Sequence, residues 1–335
     1  MGVTSPPGMV PFTLQIQMGS CASTPARGYP LAGEDTLLRA AMHLDAPIPE
    51  MQIASRCVRT IDGINPWEFT MTGKFPGHRS GARAAGALYG AHPFGSMTHS
   101  DARRALHPLL MQWLEECAEA GGLLEVGCGG GDWLRTAVSL GVHQGGITGI
   151  DIASMALPAL REEGYRVCAA DAAHLPLPDD ACSRVLCYGV LHHTPDPEAA
   201  FRELVRIALP GGTLCVATYH WGSPFHWLIH RLAAPVRWCY WHGHPGVIAP
   251  FFALYGVLLR KPGRWLLRQE LDKATLRTLF MDQCITPYVH NISLRRITRM
   301  ARAQGCEVLK TDYAGHRTMV AVVLRAPNGS IDSRA

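Results

Sequence analysis

At 335 residues, with 47% hydrophobic and 17% charged side chains, the chain can hold one large α/β domain with an extension, or two domains, and its composition excludes intrinsic disorder. A formal net charge of +4 is too mild to mark a nucleic-acid binder, which needs a strongly basic face. The 11 cysteines form no CxxC pair, so zinc knuckles, thioredoxin-type motifs and iron–sulfur triplets are excluded and no metal site is expected.

Residues 1–99 read as an N-terminal extension. Its first sixty residues, rich in Pro, Gly, Ser and Ala, predict an irregular arm with one short helix near 37–42. No secretory signal is evident, because the first twenty residues lack a basic stretch and contain Pro6, Pro7 and Pro11. Residues 65–96 hold Trp67, Phe69, Phe75, Tyr89 and Phe94 among many glycines, which predicts an ordered loop packed on the main domain.

The main domain is expected over 100–327, with 328–335 as a flexible tail. Ser100 can cap a helix whose apolar stripe is Leu106, Leu109, Leu110, Trp113 and Leu114, ended by Gly121 and Gly122. Strands at 123–127, 147–152, 165–170, 185–189 and 213–219 then alternate with helices at 132–140, 154–163 and 197–208. This alternation predicts a parallel, doubly wound sheet with helices on both faces. After Tyr219 it stops. An aromatic-rich, helical insertion at 222–291 precedes a helix at 293–303 and two strands at 306–313 and 318–325. Basic residues exceed acidic ones by about nine between 222 and 302. The longest apolar run, 247–259, contains Pro250 and is too short to span a bilayer.

The sharpest motif is Leu123-Leu124-Glu125-Val126-Gly127-Cys128-Gly129-Gly130-Gly131-Asp132, an apolar strand running into a glycine turn and then a helix. Glycines let a backbone turn sharply and meet a ligand with no Cβ between. Ile147-Thr148-Gly149-Ile150-Asp151 sets an acid at the end of the next strand, where nucleoside-binding α/β folds bond both ribose hydroxyls. A nicotinamide fingerprint fits poorly, because Asp132 falls where its third glycine should pack. The E-x-G-x-G-x-G spacing resembles the first motif of class I S-adenosylmethionine (SAM) dependent methyltransferases. The likeness continues through Asp171-Ala172-Ala173-His174-Leu175-Pro176-Leu177-Pro178-Asp179, Cys187-Tyr188-Gly189-Val190-Leu191-His192-His193-Thr194 and Leu209-Pro210-Gly211-Gly212. It covers about 123–219 in the family's order and resembles the branch that methylates small molecules, lipids and quinones included. Residues 282–293, with Pro287, Tyr288 and His290, look like the late substrate-side segment of some relatives.

The resemblance implies a Rossmann-like α/β fold: a seven-stranded doubly wound sheet with its last strand antiparallel, an N-terminal extension, and a helical insertion after the fifth strand. It implies SAM as cofactor, held by Glu125, Gly127, Gly129, Gly131, Asp151, Ile152, Asp171, Ala172, Tyr188 and His192. Asp171 would bond the adenine amino group and the Ala172 N–H an adenine ring nitrogen. His193, Tyr188 and His290 are the candidates for catalysis; the histidine pair either lines the pocket or moves a proton. Methyl transfer to a small-molecule acceptor is the expected chemistry, with no nucleic-acid partner, no transmembrane segment, and peripheral membrane contact left open. Buried free thiols at Cys168, Cys187 and Cys215 would suit a cytoplasmic location. The alternatives are a SAM-cleaving enzyme of the same fold, an NAD-dependent oxidoreductase, and a scaffold without catalysis. The cleaving enzyme would break another C–S bond, by cyclisation to azetidine-2-carboxylate or by aminopropyl-type transfer, and release methylthioadenosine. His242-Gly243-His244 lacks matching acid or cysteine spacing and reads as a loop.

Overall fold

The computed structural model describes residues 78–91, 104–119, 122–220, 224–267, 273–314 and 318–329. The helix expected at 37–42 and the cap expected at Ser100 lie outside them.

Seven strands form one sheet: Leu123–Val126 (β1), Ile147–Asp151 (β2), Arg166–Ala169 (β3), Cys182–Tyr188 (β4), Ala208–Tyr219 (β5), Glu307–Ala314 (β6) and Met319–Arg325 (β7). Their order is β3-β2-β1-β4-β5-β7-β6. The first five pair in parallel, while β7 runs antiparallel to both of its neighbours. The helices are His78–Ala91 (α1), Pro108–Ala118 (α2), Asp132–Ser139 (α3), Leu157–Glu162 (α4), Pro197–Arg206 (α5), Pro224–Trp241 (α6), Ile248–Leu267 (α7), Lys273–Phe280 (α8) and Leu294–Ala303 (α9). A π-helical turn, Met281–Ile285, continues α8.

Successive strand side chains point to opposite faces, so each apolar strand feeds two cores. Leu124, Val185 and Val216 face α5 and α9 through Phe201, Leu204 and Ile297. Leu123, Leu186 and Cys215 face α2, α3 and α4 through Leu114, Leu134 and Leu160. Asp196 starts α5 by accepting from the Ala199 N–H at 2.9 Å, and Pro197 fills the first turn, where a missing N–H costs nothing.

The structure corrects two expectations. Residues 78–91 form α1 rather than a loop. The glycines that suggested irregularity are places where this helix touches its neighbours: a Cβ on Gly81 would collide with the Tyr288 ring, and one on Gly86 would sit 2.9 Å from Ile152 O. α2 begins at Pro108, just after a helical turn at 104–106, with His107 in its capping place and no side-chain capping bond. Cys187 and Cys215 are buried free thiols, but Cys168 is disulfide-bonded. Among the described residues, no helix is long and apolar enough to cross a membrane.

Phe201 is 1% exposed in the core beneath α5. Phe201→Ala is expected to cost about 3–5 kcal/mol, read as a lower urea midpoint with an unchanged slope. A loss below roughly 1 kcal/mol would mean that this face lies outside the cooperative core.

Candidate functional site: a glycine cradle and a buried histidine–aspartate pair

The carboxyl ends of β2, β1 and β4 lie side by side, the edge at which open parallel sheets bind ligands. Beyond β1 the chain turns at once. The N–H groups of Gly127 and Cys128 both donate to Ile150 O, at 2.6 and 3.1 Å, which ties the turn to β2. Gly127, Gly129 and Gly131 have φ values of 84°, 50° and 83°, a region that strains any residue with a Cβ. Their surroundings differ. A Cβ on Gly127 would collide with Val190, and one on Gly131 with Leu160, whereas one on Gly129 would meet nothing within 4 Å. Gly129 is therefore where bare backbone faces open space.

Asp151 holds this turn. Its Oδ2 accepts from the Gly129 N–H and its Oδ1 from the Ala153 N–H, both at 2.7 Å. Burial pushes its carboxyl up, and these backbone donors pull it back. Each oxygen keeps a lone pair for a ligand hydroxyl. Ile152, the next residue, lies under Gly86 of α1. Glu125 is 2% exposed, and its Oε2 has no hydrogen-bond partner among the described residues. Burial, followed by the charges of Asp151 and Asp132, pushes this carboxyl well above its usual range. An unpartnered buried acceptor next to an open backbone cradle suits a cationic ligand such as SAM, with its sulfonium and ammonium groups. Beyond β3, Asp171 Oδ1 accepts from the Ala173 N–H at 3.0 Å, and Ala172 is buried beside it.

The expected catalytic residues separate into two groups. Tyr188 shares its hydroxyl with His107 Nδ1 and packs its ring 5.2 Å from that of Trp133. His193 and His290 belong to a different cluster. His193 Nδ1–H donates to Tyr288 O at 2.9 Å, and its Nε2 lies 3.0 Å from Asp282 Oδ1, close but short of an aligned hydrogen bond. The His290 N–H donates to His192 O at 2.8 Å. Burial, and then the charge of Arg296, push the His290 imidazole below its usual value. His192 is fully buried; its Nδ1 accepts from the Tyr219 N–H at 3.2 Å, and its ring lies 3.9 Å from that of Tyr219.

Asp282 joins this cluster together. Tyr89 donates its hydroxyl to Oδ1 at 2.9 Å and Tyr219 donates to Oδ2 at 2.5 Å. Burial alone would raise this carboxyl, but the neighbouring His193 imidazole and the hydrogen bonds from Tyr219 and Tyr89 bring it below the usual carboxylate range. Sequence reasoning passed over Asp282, Tyr89 and Tyr219 as site residues. One signal was available: Asp282 is the only acid between Asp272 and Glu307, set between Phe280-Met281 and Cys284-Ile285. An isolated carboxylate in an apolar run must be buried with partners or break the run.

Two substitutions test the cradle. Gly129→Val meets no neighbouring side chain but strains the turn at its φ of 50° and fills the open space, so the protein is expected to melt lower, to keep its overall fold by circular dichroism, and to lose SAM binding by calorimetry; normal affinity would mean that no ligand lies against this turn. Glu125→Gln addresses the orphan carboxylate. An acid whose folded pKa is raised binds more protons when folded, so its contribution falls as pH rises above the unfolded value of about 4.3. The variant is therefore expected to melt higher than the parent at pH 7, to converge with it in acid, and to bind SAM more weakly. An unchanged melting temperature together with unchanged affinity would contradict this reading of Glu125.

Residues 124–216 match a family described as a methyltransferase domain. A ubiquinone biosynthesis O-methyltransferase of Bordetella bronchiseptica is 32% identical over 127 residues, which are 34% of this chain and 50% of that protein. A probable tRNA methyltransferase 9B of Bos taurus is 29% identical over 125 residues, 36% of this chain and 26% of that protein. The chain thus spans about half the length, or less, of these curated relatives. Among solved structures, the [4+2]-cyclase SpnF aligns over 74% of this chain and 97% of its own, at 19% identity and a TM-score of 0.44, a likeness too slight to inform chemistry. Residues 124–216 thus match a methyltransferase domain, set in a sheet ordered 3-2-1-4-5-7-6 with a glycine turn at its carboxyl edge, and that match implies S-adenosyl-L-methionine as the cofactor.

Proposed function

We propose that this domain methylates a small molecule through an acidic hydroxyl, with His193 as the proton acceptor and Asp282 as its positioning partner. The observation that carries the reading is the buried His193–Asp282 pair, which lies beyond the end of β4 on the same sheet edge as the cradle. Bound SAM supplies a methyl group already activated for displacement, so the protein's share is alignment, exclusion of water and management of one proton. His193 Nδ1–H is committed to Tyr288 O, which leaves Nε2 as the nitrogen that takes the acceptor's proton. A proton arriving there stands 3.0 Å from a carboxylate that Tyr89 and Tyr219 hold in its charged form. α1 roofs the same region: Gly81 lies on Tyr288, Gly86 on Ile152, and Tyr89 reaches Asp282. A site closed in this way suits a compact acceptor and keeps water from competing for the methyl group.

The ubiquinone-pathway relative, an O-methyltransferase by name, supports an oxygen acceptor. The relative named for tRNA defines the rival substrate. Incubation with SAM and either a panel of phenols or total tRNA, with the nucleoside product identified, decides between them. S-adenosylhomocysteine formed only with a small phenol supports the proposal. Its formation only with tRNA would refute it, as would methylthioadenosine released without any acceptor. Within the proposed mechanism, His193→Ala and Asp282→Asn are each expected to lower kcat by roughly 10²–10³-fold while leaving SAM affinity within about twofold. The double variant should be scarcely worse than either single one, because the pair acts as a unit. Full turnover in the His193 variant would dismiss it as the proton acceptor.

A further inference from the structure

α6 and α7 share an inner face. Ile229 and Ala233 of α6 and Tyr255 of α7 pack with Phe280 and Ile285 into a third apolar cluster. α6 is also fastened to the turn that carries Asp282: Arg237 Nη2 donates to Gln283 O at 3.0 Å, and Trp241 Nε1 donates to Ile285 O at 2.8 Å. Helices buried on one side in this way normally present polar side chains on the other.

These two do not. The exposed residues of α7 include Ala249, Pro250, Ala253, Leu254 and Val257, the spacing of one helical stripe with no charge on it; Val257 is 74% exposed. The outer face of α6 carries Trp227, Leu228, Leu232 and Trp238, the last 57% exposed. Its charge is Arg231, whose guanidinium sits 5.1 Å above the Trp227 ring. Contiguous apolar faces of this kind are uncommon on soluble monomers and mark a surface that meets something.

Charge says what it meets. Between Glu203 and Glu270 the sequence contains no acidic residue, while α6 carries Arg231 on its outer face and the sequence of α7 contains Arg260, Lys261 and Arg264. A second copy is a poor occupant, because two such hairpins would bring cations together with no carboxylate between them. An anionic lipid surface matches both properties. Tryptophan and aliphatic side chains enter the headgroup–acyl boundary while arginine and lysine meet phosphate. Neither helix is long and apolar enough to cross a bilayer, so the hairpin would lie along the interface. We propose that the α6–α7 hairpin docks this protein on membranes containing anionic phospholipid, independently of which acceptor is methylated.

The test uses the full chain with vesicles of phosphatidylcholine, with or without phosphatidylglycerol, separated by flotation. The protein is expected to float with the anionic vesicles and to bind about tenfold more weakly to phosphatidylcholine alone or in high salt. Its tryptophan emission should be quenched by brominated acyl chains. Val257→Asp and Trp238→Ala, both on the solvent side of their helices, are expected to weaken binding about tenfold each with SAM affinity unchanged. Val257→Lys should weaken it less than Val257→Asp. Failure of the parent to float with either vesicle overturns the proposal, and so does flotation indifferent to both variants. Vesicle-independent dimerisation abolished by Val257→Asp would overturn it as well, by assigning the face to a second copy.

Discussion

The carboxylate of Asp151 reaches back from the end of β2 to the N–H of Gly129 at the end of β1, and the cofactor side of the molecule is arranged around that bond. Parallel pairing brings the two strand ends level, and the Gly127 and Cys128 N–H groups on Ile150 O set the path of the turn. Asp151 then fixes Gly129, whose Cβ side is empty where Gly127 and Gly131 are hemmed in by side chains. With the turn held, Glu125 stays buried beside the cradle, its Oε2 without a hydrogen-bond partner among the described residues. The influence extends outward. Burial, then the charge of Asp282, and lastly that of Asp151 all push the Tyr89 phenol of α1 up, so the roof helix senses both halves of the site.

The second half is assembled from chain segments with little proximity in sequence. Tyr89, His193, Tyr219 and Asp282 come from α1, the turn after β4, the last residue of β5 and the π-helical turn after α8. Burying a carboxylate costs several kcal/mol unless donors surround it. Here two phenol hydroxyls do so, with the His193 Nε2 3.0 Å away, on a turn of irregular, π-helical geometry. Because every donor lies on a different element, displacement of any one of them is felt by the others.

Much of this was legible in the sequence, for identifiable reasons. The glycine turn and Asp151 could be placed because strand-to-helix transitions fix them locally, within about twenty-five residues of chain. The paired cores followed from apolar runs at strand spacing. α1 escaped notice because its glycines read as breakers, whereas three-dimensional contact explains Gly81, Gly86 and Gly90: each abuts a neighbouring side chain or carbonyl. The Asp282 cluster escaped because its members lie up to 193 residues apart, a distance over which no periodicity carries information. Tyr188, the last residue of β4, is engaged with His107, a partner contributed by the residues just before α2. Position along the chain identified the strand end, but not which side chains there meet one another.

β7 is made after β6 yet lies between β6 and β5. While the chain emerges from the ribosome, β5 is complete long before its antiparallel neighbour exists, and β6 has nothing to pair with until β7 arrives. In the finished sheet β7 fills the place between them, with Val320, Val322 and Leu324 packed in the apolar core on one face. Through that interval a nascent chain presents an open hydrogen-bonding edge flanked by bare hydrophobic surface, the kind of target that chaperones hold and neighbouring polypeptides capture. A premature stop within β7 would therefore leave a sheet with a gap at its interior rather than a slightly shortened enzyme, and quality control would meet it before any substrate did.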